Sequence, residues 1–183
     1  MDKVIGSRIV VVGVSGSGKT RAAETISRLL GCPHLELDSI HWLPGWQEAD
    51  RVEMRRKVSK FVKQPAWVID GNYNYLRDIT WTHADTFIWL NYKLPLILWR
   101  LTKRTFRRVM KREVLWGTNR ETFRATFLDK ESLYRWAISS YPKHQRNYPL
   151  ALLEPQNAHL KIIRIKSPKE WDELVNQIIM SLR

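Results

Sequence analysis

Residues 13–20 of this 183-residue chain read GVSGSGKT, and this stretch decides the fold. Residues 8–12 before it form the β-branched run RIVVV, which is typical of a central strand buried on both faces. Residues 19–30 after it place apolar side chains at helical spacing. A strand, a G-x-x-x-x-G-K-T loop and a helix in this order predict a phosphate-binding loop, or P-loop.

Each part of the P-loop has a physical task. Its glycines permit backbone angles that let successive N–H groups point at one anion, and the following helix adds its positive N-terminal end. Lys19 can reach the β- and γ-phosphates, and the hydroxyl of Thr20 can bind Mg²⁺. The sequence therefore predicts ATP and Mg²⁺ as cofactors. The predicted cofactor-binding residues are Gly13, Ser15, Gly16, Ser17, Gly18, Lys19 and Thr20.

Two carboxylates follow predicted strands. The apolar strand 66–69 ends at Asp70-Gly71, where Asp70 is placed to hold Mg²⁺ with Thr20, although Asp-Gly is also a common turn pair. The strand 34–37 ends at Asp38. A carboxylate there can orient an acceptor hydroxyl and take its proton, whereas a phosphate acceptor needs no base. The alternative role for Asp38 is a helix cap.

Further strands and helices alternate along the rest of the chain. Periodicity predicts strands at 86–90 and 160–165, and helices at 51–63, about 95–113, about 120–140 and from 168 onward. This alternation predicts an α/β fold with a parallel sheet.

The net charge of +13 is concentrated in one segment. Residues 93–146 carry 14 basic and 4 acidic side chains, together with many apolar ones, which indicates a folded basic face. Such a face suits a phosphorylated ligand, nucleic acid or an anionic membrane. The chain has one cysteine, no signal-peptide pattern and no apolar run of about 20 residues, so we expect a cytoplasmic protein without a membrane partner.

In the order of these features, nearly the whole chain resembles the adenylate-kinase-like family of small nucleoside, nucleotide and metabolite kinases. It more closely resembles the bacterial proteins called DNA topology modulation protein, through Asp38, Trp42 and the stretches 44–46, 67–73, 84–90 and 100–108. The resemblance implies a three-layer P-loop NTPase fold with a five-stranded parallel sheet in the order 2-3-1-4-5. It also implies a single domain with a helical acceptor-binding insertion near 39–64 and an Arg-rich lid near 111–140.

The sequence departs from adenylate kinases after the third strand. Those enzymes continue Asp-Gly with Phe-Pro-Arg, whereas residues 72–74 here are Asn-Tyr-Asn, so the arginine that grips the acceptor phosphate is missing at that place. AMP is therefore not favoured as the acceptor. Arg51, Arg55 and Arg56 could hold an acidic acceptor or form a solvated helix face.

Arginines are well suited to the charge that develops in phosphoryl transfer. The resemblance implies lid arginines that close over ATP, and the four-residue spacing favours Arg104 and Arg108 before the lid and Arg120 and Arg124 within it. Arg107 and Arg112 are alternatives, and solvation at the surface is the alternative role for each. The predicted catalytic residues are Lys19, Asp38, Arg104, Arg108, Arg120 and Arg124.

The sequence is compatible with two functions. The first is an ATP-dependent phosphotransferase that moves the γ-phosphate to a small acceptor, which is a nucleoside, a nucleotide or a hydroxy metabolite. The alternative is an ATP-binding protein that binds nucleic acid through the basic, aromatic-containing segment 93–146.

Overall fold

The computed structural model describes residues 4–129 and 132–182. The strands are β1 (Arg8–Gly13), β2 (His34–Glu36), β3 (Trp42–Leu43), β4 (Gln47–Glu48), β5 (Trp67–Asp70), β6 (Thr86–Leu90) and β7 (Lys161–Ile165). The α-helices are α1 (Lys19–Leu30), α2 (Leu37–His41), α3 (Arg51–Phe61), α4 (Arg77–His83), α5 (Leu94–Met110), α6 (Leu133–Leu152) and α7 (Pro168–Ser181). Short 3-10 turns lie at Pro44–Trp46, Asn74–Leu76 and Pro155–Asn157, and a π-helical turn lies at Arg124–Leu128.

The main sheet has five parallel strands in the order β2-β5-β1-β6-β7. The short β3–β4 pair is a separate antiparallel hairpin. When the hairpin is set aside, the main strands follow the order 2-3-1-4-5, so the predicted α/β fold is confirmed. The carboxyl ends of parallel strands meet at one edge, which brings the P-loop, the end of β2 and the end of β5 together.

Helices cover both faces of the sheet. Along β1, Ile9 and Val11 pack into a core with α1, α5 and α7, whereas Val10 and Val12 pack into a second core with α3 and α4. This alternation is why the strand sequence is apolar without interruption. The architecture therefore has the three layers that the family resemblance implied.

Helix α6 contributes to both cores. Ala137 in its first half belongs to the core with α1 and α5, and Tyr148 and Leu152 near its end belong to the core with α3 and α4. The helix continues through Pro142 and Pro149. Burial of the residues beyond these prolines supports a helix that proline alone disfavours.

The helical region predicted over about 120–140 is present only in part, as the π-helical turn Arg124–Leu128 and the first residues of α6. Residues 111–123 form a loop closed by the bridge between Leu115 and Asn119, and α6 begins only after Ser132. The hydroxyl of Ser132 accepts a hydrogen bond from the backbone N–H of Arg135, which is a favourable N-terminal cap. Local capping therefore moves the start of the helix.

The predicted insertion, 39–64, contains the end of α2, the hairpin and α3. The predicted lid, 111–140, contains the 111–123 loop, the π-helical turn and the start of α6, while residues 130 and 131 lie outside the described residues. Among the helices that the structure describes, none is long and apolar enough to cross a bilayer.

Candidate active site

The P-loop is packed tightly against α5. Gly16 and Gly18 both have φ of 90°, a conformation that disfavours side chains. A Cβ on Gly16 would lie only 2.8 Å from the carbonyl oxygen of Ile97. Glycine at this position therefore allows α5 to approach the loop that should surround the phosphates.

Side chains hold the P-loop from two sides. The amide of Asn72 donates from Nδ2 to the carbonyl oxygen of Gly13 at 2.6 Å, and its Oδ1 accepts from the Gly13 N–H at 3.2 Å. Tyr148 donates its hydroxyl to the same Oδ1 at 3.0 Å. On the other side, Arg100 donates to the carbonyl oxygen of Ser17 at 3.1 Å. These contacts fix the loop before any nucleotide binds.

Oxygen atoms gather around Thr20. Its hydroxyl donates to Asp70 Oδ2 at 2.8 Å and lies 3.4 Å from Glu36 Oε1. Asp70 is 1% exposed, and its other oxygen lies 2.7 Å from Nε2 of His34. A hydroxyl and two carboxylates are the hard oxygen ligands that suit Mg²⁺. The structure therefore brings Thr20 and Asp70 together, as expected for a metal site, and adds Glu36.

Glu36 is a residue that the sequence reasoning missed. Burial raises the pKa of its carboxyl, and the negative charges of Asp70 and Asp38 raise it further. Two neighbouring carboxylates of this kind favour a bound cation. The available signal was its position at the end of β2, two residues before Asp38.

Asp38 lies on α2 and faces the P-loop. Its Oδ2 is 3.9 Å from Nζ of Lys19, and its Oδ1 accepts the hydroxyl of Tyr73 at 2.7 Å. Burial and the charge of Asp38 strongly raise the pKa of Tyr73, so the phenol stays a donor. The alternative role of Asp38 as a helix cap is wrong, because Glu36 occupies the N-cap position of α2.

Of the predicted arginines, Arg104 and Arg108 converge on one buried carboxylate. Arg108 donates to Glu121 Oε1 at 2.6 Å, and Arg104 donates to the same oxygen at 3.4 Å. Thr105 donates to the other oxygen at 3.3 Å. Glu121, which the sequence reasoning did not single out, therefore fixes two guanidinium groups side by side.

Arg120 and Arg124 lie elsewhere. Arg120 is exposed, and the side chain of Arg124 is 84% exposed and pairs with Asp129 at 3.3 Å. The alternative Arg107 pairs with Glu113 at 3.2 Å, and Arg112 is exposed. The structure therefore groups Arg104 with Arg108 and leaves Arg120 and Arg124 at the surface, and the catalytic role of all four stays a prediction.

The 111–123 loop reaches across to the insertion. Asn119 donates to the carbonyl oxygen of Leu43 at 2.9 Å and accepts from the N–H of Trp46 at 2.9 Å. Trp116 donates its indole N–H to Glu36 Oε2 at 3.2 Å, and its ring lies 5.8 Å from that of Trp46. Trp116 and Asn119 therefore join the predicted lid to the predicted insertion beside Glu36, and no local sequence signal pointed to them.

Comparisons with known proteins identify the fold. No protein-family model matches the sequence, and no curated protein matches it. Solved structures do match. Gluconokinase from Sinorhizobium meliloti 1021 has a TM-score of 0.53 at 18% identity, covering 99% of this chain and 93% of that chain. Shikimate kinase from Bacteroides thetaiotaomicron has a TM-score of 0.57 at 14% identity, covering 96% of this chain and 98% of that chain.

A third similar structure is shikimate kinase from Acinetobacter baumannii in complex with shikimate. Its TM-score is 0.53 at 15% identity, with 96% of this chain and 92% of that chain covered. At these identities, the similarities show that the chain has the fold of the solved gluconokinase and shikimate kinase structures. The closer resemblance to DNA topology modulation proteins is not confirmed.

Proposed function

We propose that the protein is an ATP-dependent phosphotransferase that moves the γ-phosphate of ATP to a hydroxyl group of a small molecule. The observation that carries this proposal is the meeting of Lys19 and Asp38, whose Nζ and Oδ2 lie 3.9 Å apart. A P-loop lysine binds phosphate, and a carboxylate beside it can accept a proton from the attacking hydroxyl. The similar structures named gluconokinase and shikimate kinase support a small hydroxy compound as the acceptor.

In the proposed reaction, Asp38 acts on the acceptor, whereas Lys19 and the arginines act on the transferred phosphoryl group. Asp38 accepts the hydroxyl proton while the acceptor oxygen bonds to the γ-phosphorus and the bond to the β-phosphate oxygen breaks, releasing ADP. Lys19 stabilises the charge that develops on the transferred group, and Arg104 and Arg108 are the predicted arginines that would assist it.

The cradle fits a nucleotide and a divalent cation. Ser17 Oγ is buried and has no hydrogen-bond partner among the described residues, which suits a phosphate ligand. Thr20, Asp70 and Glu36 would hold Mg²⁺, which when bound neutralises charge on the β- and γ-phosphates. In this proposal, 39–64 binds the acceptor and 111–140 is the lid. The single buried thiol of Cys32 also favours a cytoplasmic location.

The first experiment measures Mg-ATP binding by calorimetry. Lys19→Met should abolish binding, because no other group replaces the P-loop cation. Lys57→Met is the matched control, since Lys57 is half-exposed on α3 and pairs with Glu53. Equal Mg-ATP affinity in the wild type and in Lys19→Met would contradict the proposal.

The second experiment measures ADP formation with a panel of nucleosides, nucleotides and small hydroxy metabolites. An accepted compound should raise ADP formation above the basal rate and appear as a phosphorylated product. Asp38→Asn should lower kcat by about 10²–10⁴-fold, the usual contribution of a general base. A complete panel without any phosphorylated product would contradict phosphotransfer.

The nucleic-acid alternative has gained no support. Within 93–146, Arg104, Arg107 and Arg108 are paired with buried or half-buried glutamates, which accounts for part of the basic excess. Salt-dependent binding of DNA or RNA that survives Lys19→Met, without phosphotransfer, would favour that alternative over our proposal.

A further inference from the structure

The two carboxylate oxygens of Asp70 have different partners. Oδ2 accepts from the hydroxyl of Thr20 at 2.8 Å, and Oδ1 lies 2.7 Å from Nε2 of His34. An ionised carboxylate only accepts hydrogen bonds, so Nε2 of His34 is the donor in this pair. The Asp70 side chain is fully buried, so water does not compete for either oxygen. One oxygen therefore faces Thr20, and an imidazole holds the other.

Glu36 shows the same division of its oxygens. Oε1 lies 3.4 Å from the Thr20 hydroxyl, whereas Oε2 accepts the indole N–H of Trp116 at 3.2 Å. Both candidate metal ligands therefore turn one oxygen to Thr20 and give the other to the N–H of a ring. His34 lies on β2 and Trp116 lies in the 111–123 loop, so two distant parts of the chain produce the same arrangement.

The pairing of β2 with β5 brings His34 to Asp70. Glu36 is the ladder partner of Asp70. His34, two residues earlier, lies on the same face of β2, because alternate residues of a strand point to the same side. Among the described residues, the contact with Asp70 is the one hydrogen bond of the His34 ring. On the outer side of this edge strand, His34 lines an open groove, so the ring is not enclosed by an apolar core.

Trp116 reaches Glu36 at a cost in backbone conformation. Its φ is 41°, in the left-handed region that bulky residues disfavour. Strain of this kind is retained where the surrounding structure fixes a residue, often at functional sites. The bridge between Leu115 and Asn119 closes the loop on both sides of Trp116. The fold therefore maintains the contact between the indole and Glu36 against a local preference.

The number of oxygens that a carboxylate offers distinguishes Mg²⁺ from Ca²⁺. Mg²⁺ demands a near-ideal octahedron, keeps several waters and takes few carboxylate oxygens. Ca²⁺ takes about six to eight oxygens in a flexible geometry and often binds both oxygens of one carboxylate. Carboxylates that are restricted to one oxygen each therefore suit Mg²⁺, whereas carboxylates that are free to turn would also suit Ca²⁺.

We propose that His34 and Trp116 are positioning residues that restrict Asp70 and Glu36 to one oxygen each, so that the site selects Mg²⁺ over Ca²⁺. This inference rests on the proposed ATP and Mg²⁺ site and adds its cation specificity. Each ring acts through the carboxylate that it holds, as the hydrogen-bond partners of metal ligands do.

The test compares the affinities for Mg-ATP and Ca-ATP, measured by calorimetry with each cation in excess and without an acceptor. The ratio of the two affinities is decisive, because general damage to the ATP site lowers both affinities alike. The wild type should bind Mg-ATP more tightly. His34→Leu frees Oδ1 of Asp70 and should lower the ratio by at least about tenfold, the usual effect of losing a partner of a metal ligand. His34→Gln keeps an N–H donor and should restore most of the ratio.

Trp116→Phe tests the second ring. It removes the indole N–H and keeps an aromatic side chain beside Trp46, and it should also lower the ratio by about tenfold. The matched controls are His83→Leu and Trp99→Phe. His83 is exposed and bonds to a carbonyl of its own helix, and Trp99 is 59% exposed on α5. Both controls should keep the wild-type ratio.

Three results would overturn the inference. The first is a wild type that binds Ca-ATP as tightly as Mg-ATP, which no variant is needed to establish. The others are an unchanged ratio in folded His34→Leu, including an equal loss of both affinities, and an unchanged ratio in folded Trp116→Phe. Circular dichroism reports whether each variant is folded, and His34→Ala replaces His34→Leu if the leucine variant is not.

The cation specificity and the phosphotransfer fail in different ways. If the wild type phosphorylates an acceptor but binds both cation complexes equally, phosphotransfer stands and the role of the two rings is wrong. If the wild type prefers Mg-ATP through His34 and Trp116 but phosphorylates no compound of the panel, the cation specificity stands and phosphotransfer is wrong. Absence of Mg-ATP binding would overturn both.

Discussion

Replacing Glu121 with glutamine tests how the two central arginines are held. The substitution keeps the volume of the side chain and removes its charge. Glu121 is 8% exposed and accepts from Arg108 at 2.6 Å and from Arg104 at 3.4 Å. Glu121→Gln therefore leaves Arg104 without a counter-charge and leaves Arg108 with only its longer contact to Glu113, at 3.7 Å.

The size of the effect follows from burial. Breaking a buried ion pair by removing one partner costs about 3–5 kcal/mol. The side chain of Arg104 is 28% exposed, so water screens part of its charge. We therefore expect Glu121→Gln to lower the free energy of unfolding by about 3 kcal/mol, the lower end of this range. In a chain of this length, that loss lowers the melting temperature by about 6–12 °C.

Urea denaturation followed by tryptophan fluorescence measures this cost. Glu113→Gln is the matched control, because Glu113 also contacts Arg108 but is 31% exposed. Glu113→Gln should lower the free energy of unfolding by less than about 1 kcal/mol. Saturating Mg-ATP should reduce the difference in unfolding free energy between Glu121→Gln and the wild type, because the triphosphate would supply negative charge near Arg104 and Arg108.

A double-mutant cycle completes the test. Arg108→Gln combined with Glu121→Gln removes one of the uncompensated charges, so the double variant should be more stable than the sum of the two single effects by at least about 1 kcal/mol. The predicted role of Glu121 is refuted if the unfolding free energy of Glu121→Gln lies within about 1 kcal/mol of the wild-type value. It is also refuted if the stability losses of Arg108→Gln and Glu121→Gln are additive in the double variant.

Three further substitutions have defined outcomes. Asp70→Asn should weaken the Mg²⁺ dependence of ATP binding by about 10–100-fold in calorimetry, and an unchanged dependence would exclude Asp70 from the metal site. Asn119→Ala leaves the Leu43 carbonyl and Trp46 N–H without partners, so it should cost about 1–3 kcal/mol and speed hydrogen exchange at Trp46. Burial lowers the folded pKa of His144 from the ordinary 6.5 to about 4. Unfolded chains therefore take up a proton that the folded protein excludes, so stability is lost as pH falls from 6.5 towards 4, and His144→Asn should flatten this part of the urea-midpoint profile.

The sequence predicted the parts of the fold that depend on local signals. The apolar run of β1, the glycines of the P-loop and the Ser167-Pro168 start of α7 each act within a few residues, and the structure has them where expected. The helix expected at 120–140 shows the limit of this approach. The four-residue spacing of Arg120 and Arg124 continues the spacing of the arginines on α5, which favoured a helix. The loop between them and α5 is instead held in place by the hydrogen bond from Asn119 to Leu43 of the β3–β4 hairpin.

The candidate site was predictable where one motif carries the chemistry. Lys19, Thr20 and Asp70 follow from a P-loop and a strand end. Glu121 and Trp116 could not be identified in this way, because their partners lie far along the chain. Glu121 is 17 residues from Arg104, and Trp116 is 80 residues from Glu36. Such contacts are set by the packing of helices, which residue spacing alone does not specify.

The path of α6 has a consequence for how the protein unfolds. One continuous helix supplies Ala137 to one apolar core and Tyr148 to the other. Melting that helix would expose both cores at the same time, so neither layer can open alone to any great extent. Denaturation should therefore be a single cooperative transition, with fluorescence and circular dichroism giving the same midpoint. Because Tyr148 also bonds to the side chain that holds Gly13, that same transition should destroy the P-loop geometry.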